Sequence, residues 1–281
     1  MPATTTLVPT LTLNNGVGIP QIGFGVFQVP DDATEAAVSA ALEAGYRSID
    51  TASIYGNEKG VGRALAASGI ARDELFVTSK LWNSDQGAPA AAAFERSLDA
   101  LGLDRLDLFL IHWPAPANDL YLQSWEALEL LAASGRSRAI GVSNFLPEHL
   151  ERVIALGGTV PAVNQIELHP ALRQRETAAF NAAHGIATEA WSPLAQGGLL
   201  ADPEIVGLAR ALGRTPAQLI LRWHLQQGRI AIPKSVTPAR IAENLAVFDF
   251  ELDDAAMGAI DALEPEGGAG RVGPHPAEFN G

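Results

Sequence analysis

The chain has 281 residues, 47% of them hydrophobic, a net charge of −13 and no cysteine. That length suits one large α/β barrel or two medium domains. The missing cysteine excludes disulfides, zinc–thiolate centres and thiol nucleophiles, and the negative charge argues against sequence-independent nucleic-acid binding, which needs a basic face.

Residues 1–16, MPATTTLVPTLTLNNG, combine neither a basic start nor a long apolar core, so no signal peptide is read there. No apolar run reaches the length that crosses a bilayer. A soluble cytoplasmic protein is expected. Asn15-Gly16, between apolar stretches of the segment 11–20, predicts a β-hairpin. Short apolar runs then alternate with longer amphipathic ones. Strands are predicted over 22–25, 46–50, 75–80, 106–112, 137–143, 162–167, 187–191 and 229–235. Helices are predicted over 34–44, 58–68, 88–101, 120–134, 147–156, 173–184, 204–228 with a break near Gly213, and 237–248. A further helix over 253–263 precedes a Gly/Pro-rich tail.

Eight strand–helix alternations fit a (β/α)₈ TIM barrel better than a doubly wound sheet. The hairpin would close the barrel's bottom. No linker or composition shift marks a boundary, so residues 1–281 are expected to form a single domain.

In such a barrel, catalytic groups stand at the C-terminal ends of strands. Asp50, Lys80 and His112 end the second, third and fourth predicted strands, and Tyr55 follows Asp50 in the next connection. Each alone has an ordinary reading: a helix cap, a snorkelling lysine, a buried core histidine. Gathered on one rim, they make an acid. A free phenol has a pKa of about 10, and a neighbouring ammonium, Lys80, would lower it. Buried, Lys80 needs an anion, which Asp50 supplies. A neutral His112 could donate a hydrogen bond to the same substrate oxygen. The set suits protonation of an alkoxide developing from a carbonyl. It holds no reductant, so a hydride-carrying cofactor is required.

The chain uses arginine freely and keeps only Lys59, Lys80 and Lys234 as lysines. Lys80 and Lys234 both end strand-like runs. In IPKSVTPARIAEN (232–244), Lys234, Ser235 and Arg240 surround the start of the last barrel helix. Two cations, a hydroxyl and a helix N-terminus suit a phosphomonoester, hence NADP(H) more than NAD(H). Neither a G-x-G-x-x-G run after a strand nor a P-loop is present.

Residues 45–62, GYRSIDTASIYGNEKGVG, resemble the first signature of the aldo-keto reductases. IPKS (232–235) with Arg240, Glu243 and Asn244 resembles their cofactor signature. GVSNF (141–145), HWP (112–114), VNQIELHP (163–170) and the tail GRVGPHP (270–276) agree with it. Within the family, the chain most resembles the bacterial branch containing 2,5-diketo-gluconic acid reductases. The resemblance implies NADPH-dependent reduction of aldehydes and ketones, with NADH weaker and no metal. Tyr55 would be the general acid, tuned by Lys80 and Asp50, with His112 orienting the carbonyl. Ser143, Asn144 and Gln165 would hold the nicotinamide carboxamide, and Trp191 would stack on its ring. Ser192 and Leu194 match the pyrophosphate loop. Lys234, Ser235, Val236, Thr237 and Arg240 match the 2′-phosphate site, and Glu243 and Asn244 the adenine contacts. Phe27, Trp82 and Trp113 match the substrate pocket, whereas Trp125 and Trp223 are read as core. The short connection after the fourth strand, 114–120, suggests an open pocket and a broad substrate range. Family precedent favours a monomer acting on small carbonyl compounds without nucleic-acid or membrane partners. A cofactor-binding regulatory barrel without turnover, and a barrel isomerase or hydrolase, are the other classes weighed.

Overall fold

The computed structural model describes residues 8–281. The first residues of the stretch read for a signal peptide, 1–7, lie outside the described residues. An antiparallel hairpin comes first, β1 (Thr10–Thr12) and β2 (Gly18–Pro20), turning at Asn15-Gly16, where Gly16 has φ 83°. Only a residue tolerant of positive φ fits that turn. Leu13 and Ile19 of the hairpin pack with Phe76, Leu108, Ala162 and Ile230, near the N-terminal ends of barrel strands. The hairpin therefore closes the barrel's bottom, as expected.

The barrel strands are β3 (Phe24–Gly25), β4 (Ser48–Asp50), β5 (Phe76–Leu81), β6 (Leu106–Ile111), β7 (Ser137–Ser143), β8 (Val163–Glu167), β9 (Ala187–Trp191) and β10 (Ile230–Ala231). They pair in parallel in chain order. A parallel bridge between Ile22 and Ala231, with the Gly23 N–H donating to Ala231 O, closes the sheet on itself. The helices are α1 (Asp31–Ala44), α2 (Glu58–Ala67), α3 (Ala90–Leu101), α4 (Tyr121–Ala133), α5 (Pro147–Ile154), α6 (Arg175–Ala183), α7 (Pro203–Ala211), α8 (Pro216–Gln226), α9 (Pro238–Leu245) and α10 (Asp254–Asp261). They lie outside the sheet. Ile49, Val77, Phe109, Val142 and the indole of Trp125 belong to the apolar layer between sheet and helices. Trp223 is likewise fully buried, its Nε1–H donating to Asp261.

The expected break near Gly213 separates α7 from α8. Thr215 caps α8 reciprocally with Gln218, and Pro216 starts it. Several strands are shorter than their apolar runs, the first and the last among them. The first shrinks from 22–25 to Phe24–Gly25, held at Ile22 only by a bridge. The last shrinks from 229–235 to Ile230–Ala231. Pro233 has no N–H for the ladder, so Lys234 and Ser235 lie in the connection beyond the strand rather than at its end. His112 also stands one residue past β6, though its N–H still donates to Leu81 O at 3.0 Å. Among the described residues no helix is long and apolar enough to cross a membrane.

Candidate active site

The turn carrying Tyr55 is held in place by buried side chains. After β4 the chain makes a short helical turn, Ser53–Tyr55, ended by Gly56 at φ 68°. Asn57, fully buried, donates to Val26 O and Val29 O at 2.9 Å each and accepts from Thr51 at 2.8 Å. The Ser53 hydroxyl donates to Lys80 O at 3.1 Å. Thr51, Ser53 and Asn57 were not foreseen as supports; their signal was only their place within the 45–62 motif.

Lys80 is fully buried, and its Nζ donates to Asp50 Oδ1 at 2.6 Å and to Thr51 O at 2.9 Å. Burial alone would pull the ammonium's pKa down. Asp50, followed by Tyr55 and Glu189, outweighs that, and the lysine is held charged, above its ordinary value. Its Nζ lies 5.3 Å from the Tyr55 ring centroid. Tyr55 is partly accessible at the barrel mouth. Burial raises the Tyr55 pKa, Lys80 opposes the rise, and burial prevails. That corrects the expectation of a net lowering: the ammonium's pull has the expected direction but not the upper hand. The His112 ring packs edge-on to Tyr55, with centroids 5.6 Å apart. Burial, then Lys80, hold its pKa well below the usual value. A neutral imidazole keeps one N–H to donate.

Across the barrel mouth, Asn144 adopts a left-handed backbone at φ 65°. Its Nδ2 donates to His112 O and Ser143 Oγ, and its Oδ1 accepts from Trp191 Nε1 at 2.8 Å. The Ser143 hydroxyl donates to Gln165 O at 2.8 Å. Gln165 Nε2 donates to Asp50 Oδ2 and to Glu189 Oε2, 2.8 Å each. Ser143, Asn144, Gln165 and Trp191 are thus brought together beside the tetrad. Glu189, buried beneath them, was not singled out from the sequence: a glutamate inside an apolar strand run gave no hint of its partners.

Ser192, Ala195 and Gln196 hold positive φ in the loop after β9, and the carbonyl of Pro193 lies 3.1 Å from His224 Nε2. Left-handed non-glycine residues of this kind concentrate where a loop is shaped for binding. Beyond β10, the Thr237 N–H donates to Ser235 Oγ at 3.1 Å, turning the chain into α9. Nearby Arg214 and Arg222 are tied to Asp249 and Glu251. Lys234 and Arg240 are exposed instead and hold no carboxylate among the described residues. Two free cations, the exposed Thr237 and Val236, and the start of a helix fit a phosphate-bearing cofactor. Glu243 is engaged with the Thr215 hydroxyl at 2.8 Å and Asn244 is buried.

Phe27, half-exposed, packs tilted against Tyr55 at 5.0 Å; Trp82 stands against His112 at 5.2 Å and Trp113 against Trp191 at 6.5 Å. The tail supplies a further wall. Phe279 packs on Trp113 at 4.6 Å and on Trp82 at 6.2 Å. Asn280 Oδ1 accepts from Ala117 N, so the tail also meets the short connection after β6. Upstream, the buried Glu167 carboxylate accepts from Val272 N and Gly273 N, anchoring the tail beside Trp191. The pocket is therefore less open than the short connection suggested. A lone Phe in a Gly/Pro-rich tail was the one signal of this.

Comparison with known proteins identifies relatives over nearly the whole chain. Residues 16–265 match the model of the aldo/keto reductase family. The chain is 54% identical to the methylglyoxal reductase DkgA of Yersinia pestis, over 98% of both chains. A crystal structure of an aldo/keto reductase from Brucella melitensis superposes with a TM-score of 0.89 at 53% identity, covering 92% of this chain and all of that one. A Gox0644 variant in complex with NADPH superposes with a TM-score of 0.93 at 46% identity, covering 98% and 99% of the two chains. With its tetrad on the rim of a parallel barrel, the chain belongs to the aldo/keto reductase family.

Proposed function

We propose that this protein reduces small aldehydes and ketones to alcohols with NADPH, Tyr55 giving the proton. The observation that carries the reading is the Tyr55–Lys80–Asp50 arrangement with a neutral His112 against it. Bound NADPH supplies the hydride. Tyr55, a phenol that burial holds all the more firmly in its acid form, donates to the developing alkoxide. Lys80 then stabilises the phenolate left behind, and Asp50 keeps Lys80 charged in a buried place. The His112 N–H orients the carbonyl oxygen. Ser143, Asn144 and Gln165 would hold the carboxamide, and Trp191 would support the ring. Ser192 and Leu194 would contact the pyrophosphate; Lys234, Ser235, Val236, Thr237 and Arg240 would hold the 2′-phosphate; Glu243 and Asn244 would contact the adenine. Phe27, Trp82, Trp113 and Phe279 line the substrate side.

Relatives named methylglyoxal reductases are 48–54% identical over nearly the whole chain, so methylglyoxal is a natural first substrate. The test is NADPH oxidation followed with methylglyoxal and with a simple aromatic aldehyde. Turnover with either supports reduction. Tight NADPH binding without turnover on any carbonyl would favour a regulatory barrel instead.

A further inference from the structure

Glu189 lies in the middle of β9, and it shares the barrel-facing side of that strand with Trp191 two residues on. It is 1% exposed. Among the described residues its hydrogen-bond partner is the Gln165 amide, at 2.8 Å, from the residue beside it on β8. The other hydrogen of that amide goes to Asp50 Oδ2, also at 2.8 Å. A primary amide nitrogen has two hydrogens, and two carboxylates take both. The amide cannot turn over without aiming its own oxygen at those carboxylates. Its carbonyl oxygen is thereby the atom left for a ligand. Lys80 compensates Asp50 through the remaining oxygen, Oδ1, but among the described residues no ion pair reaches Glu189, which feels Lys80 only at longer range. A second buried carboxylate with a single donor is costly for the fold alone.

We propose that Glu189 is a positioning residue for the cofactor: with Asp50 it turns the Gln165 carbonyl oxygen toward the nicotinamide carboxamide, and its charge favours the oxidised, cationic ring over the reduced, neutral one. The inference rests on the proposed role of Gln165 in holding the carboxamide.

The groups facing Glu189 are Asp50 from β4 and Lys80 from β5, with Tyr55 and His112 completing the cluster around Lys80. Burial, then Asp50, push the Glu189 carboxyl up to about 7, against the opposing pull of the Gln165 hydrogen bond and Lys80. Its charge therefore changes near neutrality. Above that pH the carboxylate is present and attracts a cationic ring; below it the neutral acid does not. A cation bound nearby lowers the carboxyl pKa, so NADP⁺ binding should release a proton and strengthen as pH rises. NADPH binding should not. The 2′-phosphate titrates near 6 in either form and cancels in their ratio.

The experiment measures dissociation constants of NADP⁺ and NADPH by fluorescence titration at pH 6 and pH 8. The proteins are the wild type, Glu189→Gln, Glu189→Leu and Gln165→Ala. In the wild type, the ratio of the NADP⁺ to the NADPH constant should fall several-fold from pH 6 to pH 8, with a ceiling of about tenfold for one titrating group. Glu189→Gln keeps an acceptor for Gln165 and is expected to fold, because among the described residues Glu189 has no ion-pair partner that its loss would strand. In it the ratio should be flat while NADPH affinity stays near normal. Glu189→Leu, lacking the acceptor, should weaken both forms about tenfold. A wild-type ratio that does not move with pH, or one that moves equally in Glu189→Gln, overturns the proposal. Unchanged affinities in Gln165→Ala would instead sink the Gln165 assignment, and the inference with it.

Discussion

At Tyr55 two opposing effects set the chemistry, and their order matters. Burial holds the phenol protonated; Lys80 makes its loss of the proton tolerable. The group required in reduction is the acid form, and its raised pKa extends that form into alkaline solution. Turnover in the reductive direction should therefore hold across neutrality and decline only in the alkaline range, which a pH–rate profile of kcat would show. Lys80→Met should abolish that balance and also leave Asp50 buried without its cation. Breaking a buried pair costs about 3–5 kcal/mol, so the urea midpoint should fall along with turnover. A variant of wild-type stability would mean the 2.6 Å pair contributes little to the fold. Asp50, Lys80 and His112 were legible in the sequence because they fall where apolar runs end, and Tyr55 because it follows Asp50 in the next connection. Glu189 was not, because its importance comes from Gln165 and Asp50, neighbours distant in sequence that only the closed barrel supplies.

At the level of elements, β10 and α9 show what an apolar run conceals. Hydropathy carries the strand through Ser235, but Pro233 ends the ladder and frees Lys234 for the connection. The phosphate-type site proposed from residue types does not need the longer strand, since it depends on the loop and on the start of α9. Lys234→Met and Arg240→Ala should each weaken NADPH binding by several-fold or more while changing NADH binding little, measured by fluorescence quenching. Equal losses for both cofactors would remove the 2′-phosphate assignment.

Across the whole molecule, the periodicity of eight strands and their helices was enough to imply the barrel, because each local pattern agrees with the same closed sheet. The tail was not legible. Its residues have no period, and their position depends on Glu167 at the end of β8 and on Trp82 and Trp113 at the mouth. A Cβ added at Gly273 would meet the Trp191 ring at 2.5 Å and Glu167 at 3.0 Å. Gly273→Ala should therefore disturb Trp191 and weaken cofactor binding, although residue 273 lies far from the cofactor motifs in sequence. Phe279→Ala should raise KM for apolar aldehydes with a smaller effect on kcat, since it removes a wall of the pocket and not a reacting group.

The central claim is that Tyr55 gives the proton. Its most direct test is Tyr55→Phe, with steady-state reduction of methylglyoxal or a simple aldehyde measured beside NADPH affinity. The account predicts turnover lower by at least the roughly 10²–10⁴-fold associated with a positioned acid, at nearly unchanged NADPH affinity. Near-normal turnover in that variant would contradict it.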